Sequence, residues 1–349
     1  MTQVWEVLVT DTTRIRDAAR VVSEAALGLG LGPVRTDAAV LAASELATNM
    51  CRYAGGGRFV AEAVGEPWGS ARALQIVALD HGPGIADVPR ALGDGFTSSA
   101  DSLGAGLGSC RRAADFFDLQ STPGRGTVAV ARFARPEHRE LFAGPAPVGG
   151  LHAPLDGARL SGDALAFRTD RGRRTVMMAD GLGHGAAASQ ASELASRFVL
   201  GRGGDTPEAL LRGMHEVLRR SRGAAVAVAD IDESRRLLTF CGVGNIGARL
   251  YRGGSWRSLA SQPGIVGAFA LRTLLPERHG WEPGDMLVLH TDGLPSRWSP
   301  DGIERLGARD AAVTASVVFR DAGSAARPLR DDTAVAVVTH TARPDGAPR

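Results

Sequence analysis

The strongest constraint on the fold of this chain is an apolar strand-like segment that ends at an aspartate. Residues 175–185 read TVMMADGLGHG, in which the β-type run stops at Asp180-Gly181. A glycine-broken turn follows, and an alanine-rich helical stretch occupies residues 186–200. This order of strand, carboxylate, tight turn and helix predicts one acidic side chain held at the edge of a sheet.

Three further sites share this placement of an aspartate beside a strand: Asp163 in LSGDALAF, Asp292 after the run 286–291, and Asp331-Asp332 before the run 333–339. Carboxylates at strand ends can meet at one point. Oxygen ligands without a histidine or cysteine set suit Mg²⁺ or Mn²⁺ rather than zinc, so the sequence predicts metal-assisted hydrolysis. Turn and cap chemistry explains any one of these aspartates, but it explains four of them poorly.

Composition limits the chemistry available to the chain. Lys+Arg residues number 40 against 38 Asp+Glu, and the net charge of +2 gives no reason to expect nucleic acid or an anionic membrane as a partner. No window approaches the ~18 apolar residues of a membrane span, and no signal peptide is visible, so we expect a cytoplasmic protein. The chain contains no lysine, which excludes the P-loop lysine and Schiff-base mechanisms.

Two polar residues stand out on a helix predicted over about 36–53. Glu45 and Asn49 are four residues apart and therefore lie on one face of that helix. Asn49 is one of only two asparagines in the chain, the other being Asn245. A solvated Glu/Asn pair is common on helices, and it explains these two residues equally well when they are taken alone.

The segments that follow contain glycine turns suited to a nucleotide. The run 74–79 ends in the sequence DHGPG, whose Asp80 can bind the amino group of a flat heterocycle; an ordinary glycine-rich turn is the alternative. The sequence GAGLG at 104–108 opens a predicted helix, and the N–H groups and positive dipole end of such a helix favour phosphate. A GxGxG sequence alone is weak support for a phosphate site.

Four motifs, ELATN, DHGPGI, LGAGLGS and PGRGT, occur in this order within residues 1–135. They resemble the ATP-binding domains of the GHKL family, in particular the bacterial anti-sigma-factor serine kinases and the stressosome switch kinase. The resemblance implies that Asn49 coordinates Mg²⁺ on the nucleotide, that Glu45 is the general base toward a substrate hydroxyl, and that Asp80 reads adenine. It also implies the residues that line the nucleotide, namely Gly82, Gly84, Gly104, Gly106, Gly108 and, on the adenine side, Thr127.

Six motifs in the second half, SGD, ADGLGHG, GVGNIG, PGIVG, HTDG and RDDTAV, resemble the SpoIIE-type metal-dependent protein phosphatases of the wider type 2C fold. The resemblance implies a centre of two Mn²⁺ or Mg²⁺ ions that hydrolyses phosphoserine or phosphothreonine. Asp180 would bridge both ions, and Asp163 would act directly or through water. The implied ligands are Asp163, Asp180, the carbonyl of Gly181, Asp292 and Asp331. Asp332 would orient Asp331 or a water.

One position departs from this second resemblance. Leu182 stands directly after Asp180-Gly181, where eukaryotic relatives carry the histidine that serves as general acid. His184, two residues further on, is not its positional equivalent. The general acid is therefore unassigned.

The two resemblances imply an α+β fold in successive segments. We expect a GHKL ATP-binding α/β sandwich over 1–136 and a linker over 137–150. A type 2C-like α/β-β/α phosphatase sandwich is expected over 151–341, and a disordered tail over 342–349.

Together the two domains imply a bifunctional regulator of a bacterial sigma-factor or stress-signalling switch. It would use ATP to phosphorylate a serine or threonine of a STAS-type antagonist or stressosome scaffold protein, and its metal centre would remove that phosphate. A sigma factor is a further candidate partner. The alternative is an ATP-gated module that only binds a partner, with the phosphatase as the sole activity. The intact Glu45 favours chemistry over binding alone.

Overall fold

Two compact units make up the chain. The computed structural model describes residues 4–65, 72–93, 106–155, 160–170, 172–268, 271, 273–295, 298–323 and 331–340. Unit 1 comprises Met1–Ala146, Leu151–Leu160 and Ser316–Asp331, and unit 2 comprises Pro147–Gly150, Ser161–Ala315 and Asp332–Arg349. Gly104 and the tail predicted over 342–349 lie outside the described residues.

Unit 1 contains a five-stranded antiparallel sheet. Its strands are β1 (Val4–Val9), β2 (Gly57–Gly65), β3 (Arg72–Leu79), β4 (Phe116–Thr122) and β5 (Gly126–Ala134). They lie in the order β1-β2-β3-β5-β4. The antiparallel register places Leu74 directly opposite Phe133, and both side chains enter the core of the unit. The hairpin predicted at the end of the first half is therefore observed as β4 and β5.

Helices cover one face of this sheet. Within the described residues unit 1 has α1 (Arg14–Gly28), α2 (Pro33–Asn49), α3 (Val88–Ala91), α4 (Gly106–Ala113) and α5 (Arg139–Phe142). Residues such as Val22 of α1, Leu46 of α2 and Cys110 of α4 join one buried cluster with the sheet. The helix predicted over 36–53 begins earlier, at Pro33, because proline fits the first turn of a helix. Its end is a π-helical turn, Met50–Ala54.

The stretch predicted as a linker contains regular structure. It begins within a 3-10 turn at Pro136–His138 that leads into α5, and a strand, β6 (Val148–Ala153), starts before its end. Proline and glycine content indicated a connector, but short helical turns tolerate a proline at their first position. The exact division into 1–136, 137–150 and 151–341 stays a prediction.

The strands of the second half form two sheets. After β6 they are β7 (Asp163–Asp170), β8 (Arg173–Gly181), β9 (Ala224–Asp232), β10 (Leu237–Val243), β11 (Gly247–Arg252), β12 (Ser255–Leu259), β13 (Ser261–Gln262), β14 (Glu277–Gly280), β15 (Met286–His290) and β16 (Thr333–Thr339). The first sheet has the order β13-β10-β9-β8-β7, with β14 also paired to β10. The second has the order β12-β11-β15-β16-β6.

The two sheets of unit 2 enclose a common apolar core. Met178 and Phe240 from the first sheet pack in one cluster with Leu250, Leu287 and Leu289 from the second. On the other face of the first sheet lie α6 (Ala186–Leu200) and α7 (Pro207–Leu218), which share a separate core with it. A last helix, α8 (Ala311–Ala322), begins in unit 2. Stacked, mainly antiparallel sheets with segregated helices are the α+β sandwich that the sequence predicted.

The described residues also show the state of the cysteines and the character of the helices. Cys51, Cys110 and Cys241 form no disulfide, and the last two are buried as small apolar residues would be. Among the helices of the described residues, none combines the length and apolar character that crossing a membrane requires.

Leu287→Ala should destabilise unit 2 by roughly 2–5 kcal/mol, because it removes most of a buried side chain and leaves a cavity between the sheets. Leu287 is fully buried, whereas the matched control position Leu275 is 68% exposed. Urea unfolding followed by tryptophan fluorescence would compare Leu287→Ala with Leu275→Ala. Equal effects of the two substitutions would contradict the position of Leu287 in the core.

Candidate functional site

Two of the predicted carboxylates face each other across neighbouring strands of the first sheet. Asp163 is the first residue of β7 and lies directly opposite Asp180, which is the second-last residue of β8. Asp163 is only 7% exposed, and Asp180 is half-buried. Like charges directly opposite each other destabilise a sheet, so this pair requires compensation from its surroundings.

Part of that compensation comes from Thr291, a buried residue between the end of β15 and Asp292. Its Oγ1 donates a hydrogen bond of 2.7 Å to Oδ2 of Asp163 and accepts one of 2.9 Å from the backbone N–H of Ala334. The backbone N–H of Thr291 also donates to the Ala334 carbonyl oxygen at 3.1 Å. Thr291 therefore ties the carboxylate of the first sheet to the strands of the second.

Electrostatics show that four carboxylates share one region. Burial raises the pKa of Asp163 well above its ordinary value, and the charges of Asp180, Asp332 and Asp292 raise it further, against the opposing hydrogen bond from Thr291. Within the residues that the structure describes, no three histidine, cysteine, aspartate or glutamate side chains are placed so that they could hold one metal ion. The four carboxylates therefore influence one another's charge but are not gathered around one point.

The structure distinguishes between the two aspartates before β16. Asp332 is buried, and its Oδ2 accepts a hydrogen bond of 2.5 Å from the N–H of Gly162, next to Asp163. Asp331 is exposed. The sequence assigned the metal to Asp331 and a supporting role to Asp332. That assignment stays a prediction.

The turn after Asp180 is compact on one side and open on the other. Gly181 is buried, and a Cβ at this position would lie 2.1 Å from the Ala188 carbonyl oxygen, so only glycine lets α6 approach so closely. Leu182 is 45% exposed, and His184 is also exposed. In the described part of the chain no hydrogen bond of the His184 ring is found. The structure therefore assigns no general acid in this turn.

Asn245 and His290 support the Asp292 end of the site. Nδ2 of Asn245 donates a hydrogen bond of 2.7 Å to Oδ2 of Asp292. Nε2 of His290 accepts a hydrogen bond of 3.0 Å from the indole of Trp298, so its Nδ1 carries the proton and donates to the Thr291 carbonyl oxygen at 2.9 Å. Burial lowers the pKa of His290. This histidine is a neutral structural residue.

In unit 1, the predicted catalytic pair lies beside the start of α4. A Cβ on Gly106 would lie 2.5 Å from Oε2 of Glu45 and 4.0 Å from Nδ2 of Asn49. The close approach explains why glycine is required at this helix terminus. Burial and the nearby charge of Glu45 raise the pKa of Cys110 to about 12. Gly108 is buried within α4.

Asp80 is held at the end of β3 as the sequence predicted. Its Oδ1 accepts hydrogen bonds from the N–H of Gly82 at 2.8 Å and from the N–H of Thr127 at 3.2 Å. Burial raises the pKa of Asp80, and these two hydrogen bonds oppose the shift. Among the described residues no group bonds to Oδ2, so this oxygen can accept a hydrogen bond from a ligand. Gly84 has a left-handed backbone, φ 74°, in the turn that follows.

Two site residues hold a carboxylate in a way that the sequence did not predict. Thr291 had no assigned role, and Asn245 was expected to fix a turn or to contact phosphate, but each holds a carboxylate through a side-chain hydrogen bond. The rarity of asparagine in the chain was the sequence feature that could have indicated a site role for Asn245. For Thr291 that feature was its position inside the HTDG motif, which does not show that its hydrogen-bond partner is Asp163.

Comparison with known proteins identifies both halves. Residues 8–132 match the histidine kinase-like ATPase domain family, and residues 170–341 match the family described as Stage II sporulation protein E (SpoIIE). The serine/threonine-protein kinase RsbT of Bacillus subtilis is 42% identical over 103 residues, which are 30% of this chain and 75% of RsbT. The phosphoserine phosphatase RsbX of the same organism is 27% identical over 141 residues, 40% of this chain and 70% of RsbX.

A solved structure resembles the chain as well. The PP2C phosphatase domain of SpoIIE from Bacillus subtilis, with a fragment of its regulatory domain, covers 77% of this chain and 79% of its own, at 16% identity and a TM-score of 0.47. The sequence matches carry the assignment. The first half of the chain therefore belongs to the histidine kinase-like ATPase family that includes RsbT, and it is followed by a PP2C-type domain of the SpoIIE family.

Proposed function

We propose that this chain is a bifunctional regulator of bacterial sigma-factor stress signalling. Its SpoIIE-type half removes phosphate from serine or threonine of a protein partner, and its RsbT-like half adds phosphate from ATP. The observation that carries the proposal is the convergence of Asp163, Asp180, Asp292 and Asp332 at one edge of unit 2. Such a cluster of carboxylates, partly buried and mutually repelling, has little structural use without cations.

The donor set of unit 2 fits hard divalent cations. Carboxylate oxygens from four strand ends, with the backbone carbonyl of Gly181 beside Asp180, are the ligands that Mg²⁺ and Mn²⁺ prefer. Asp180, Asp163 and Asp292 would hold the ions together with Asp332, or with Asp331 as the sequence predicted. When bound, two such ions supply Lewis acidity and a nucleophile at neutral pH.

The chain's own residues then fix the geometry of this site. Thr291 holds Oδ2 of Asp163, so that carboxylate keeps one orientation. Asn245 does the same for Asp292, and the N–H of Gly162 does it for Asp332. In metal sites, residues that hydrogen-bond to a metal ligand, and not to the metal itself, keep that ligand in its orientation.

The proposed kinase half rests on Glu45, Asn49 and the start of α4. Glu45 would accept the proton of a substrate hydroxyl, and Asn49 would hold the Mg²⁺ that accompanies ATP. Gly106 lies against both, at a helix terminus whose N–H groups can bind phosphate in place of a lysine. Oδ2 of Asp80 would accept a hydrogen bond from the amino group of adenine. RsbT is named as a serine/threonine-protein kinase, which supports the same reaction for this chain.

The proposed partner is a STAS-type antagonist or a stressosome scaffold protein, with a sigma factor as the alternative, in the cytoplasm. The two curated relatives carry opposite activities, a serine/threonine kinase and a phosphoserine phosphatase. A single chain that unites relatives of both can set the phosphorylation of one partner in either direction. If unit 1 only bound its partner, ATP would alter binding but no phosphate would be transferred.

Asp180→Asn should abolish dephosphorylation of a phosphoserine protein, because the substitution removes a charged carboxylate from the set proposed to hold the cations. Hydrolysis would be measured as phosphate release with added Mn²⁺ or Mg²⁺. ATP binding, measured by calorimetry, should not change. Full phosphatase activity in Asp180→Asn would reject the proposed site.

Thr291→Val should lower metal affinity by about 10–100-fold, because Asp163 loses the hydrogen bond that orients it. Thr291→Ser is the matched variant, since it keeps the hydroxyl and should retain most of the affinity. Titration of Mn²⁺ into each purified protein by calorimetry measures the effect without any assay of activity. Equal affinities in the two variants would show that Thr291 acts only through packing.

Asn49→Ala should remove Mg²⁺-dependent ATP binding, whereas Glu45→Gln should leave binding intact and abolish phosphoryl transfer. The reason is that Asn49 is assigned to the cation and Glu45 to the proton of the substrate. Calorimetry would measure ATP affinity, and radiolabelled phosphate transfer to a STAS-type protein would measure chemistry. Transfer that is absent in the wild-type chain, with ATP binding retained, would favour the binding module instead.

A further inference from the structure

A cavity adjoins the Asp292 end of the carboxylate cluster in unit 2. Its volume is about 290 Å³, and its lining includes Asn245, Arg249, Ser258, His290, Asp292 and Leu294. Asp292 is therefore shared between the proposed metal site and this cavity. A group that occupies the cavity would extend directly from a phosphate held at the carboxylates.

Arg249 supplies a positive charge to this cavity. Its guanidinium carbon lies 4.8 Å from the centre of the Trp298 ring, a stacked position that limits its freedom. Trp298 is in turn fixed by its hydrogen bond to His290. In the described part of the chain the Arg249 side chain has no hydrogen bond or ion pair, whereas Arg173 and Arg174 on the first sheet each pair with a carboxylate.

The sheet register shows where the backbone of Arg249 lies relative to Asp292. Between β11 and β15, Gly247 lies opposite His290, and Arg249 lies opposite Val288. Val288 precedes Asp292 by four residues, or about 13 Å of extended chain. Arg249 and Asp292 both line the cavity, so the arginine side chain lies along part of this separation. An extended peptide covers about 10 Å in three residues.

We propose that this cavity is the docking groove for the phosphorylated segment of the protein substrate, and that Arg249 selects an acidic side chain about three residues from the phosphoserine. The proposal rests on the phosphatase activity proposed above and adds a sequence preference to it. Arg249 is here a specificity-determining residue that binds substrate outside the reacting group.

Charge complementarity favours an acidic occupant over a neutral or basic one. A stacked, half-buried arginine without a partner gains most from a carboxylate, which it can bind with two parallel hydrogen bonds. The same carboxylate would be repelled by Asp292 if it came closer to the metal site. Arg249 therefore selects both the charge of the side chain that is accepted and its position along the substrate segment.

The test uses the full-length protein and fluorescent peptides that carry a phosphonate in place of phosphoserine, so that binding is measured without hydrolysis. Four peptides carry Glu or Gln three residues before or after the phosphonate. In the presence of Mg²⁺, fluorescence anisotropy should show about 5–10-fold tighter binding of one Glu peptide over its Gln counterpart. Arg249→Gln should abolish this preference, and Arg249→Lys should restore part of it.

Arg257→Gln is the matched control, because it also removes one positive charge from the β11-β12 pair. Arg257 is exposed and lies opposite Leu250, whose side chain faces the core, so its own side chain does not lie on the face that carries Arg249. It should keep the preference. Arg249→Glu should instead prefer a peptide with lysine at the selected position. Thermal unfolding of each variant checks that loss of the Trp298 contact has not altered the fold.

Three outcomes would overturn the proposal. The wild-type protein could show no preference, the preference could survive in Arg249→Gln, or Arg249→Gln could raise the KM for p-nitrophenyl phosphate as much as for the peptides. The last result would mean that Arg249 binds the phosphate itself. A failure of the proposed phosphatase function would give a different result. The protein would still bind the Glu phosphonate peptide more tightly than the Gln peptide, but it would not cleave the matching phosphoserine peptides.

Discussion

Repulsion between carboxylates at one edge of the two-sheet sandwich is the constraint on which the arrangement of unit 2 depends. Asp163 and Asp180 lie opposite each other, and two unit charges about 5 Å apart repel by roughly 3 kcal/mol at an effective dielectric constant of 20. Asp292 and Asp332 add to this repulsion from the second sheet. The apolar core between the sheets must therefore hold the strand ends in place, since the charges themselves oppose it.

The hydrogen bonds at this edge offset part of the repulsion between the carboxylates but do not neutralise their charge. Thr291, Asn245 and the N–H of Gly162 each bond to one oxygen of a different carboxylate. Each such bond fixes the direction of a carboxylate. A divalent cation is the compact positive charge that this geometry calls for, because it can contact several carboxylates at once.

The strand-end positions of the aspartates could be predicted because strand periodicity and turn residues are local properties of a sequence. Asp163 and Asp180 lie at the strand ends where the sequence placed them, and their role as metal ligands stays a prediction. The choice between Asp331 and Asp332 could not be made locally, because side chains alternate between the faces of a strand and a shift of one residue exchanges them. The roles of Thr291 and Asn245 depend on contacts between segments far apart in the chain, which no local pattern specifies.

In unit 1 the acidic side chain of the proposed site lies beside a helix terminus. Glu45 lies against Gly106 at the start of α4, where a helix terminus favours anions. Under the proposed function this position is useful, because Glu45 must be near the transferred phosphoryl group in order to take the proton of the substrate hydroxyl.

A chain that adds and removes the same phosphate consumes ATP with no net effect when both sites work together. It can act as a switch only if each site answers to a different signal. The first site depends on ATP, and the second on divalent cations and on the sequence around the phosphoserine if Arg249 selects it. Recognition outside the reacting group is therefore what would let the phosphatase half discriminate its partner from other phosphoproteins.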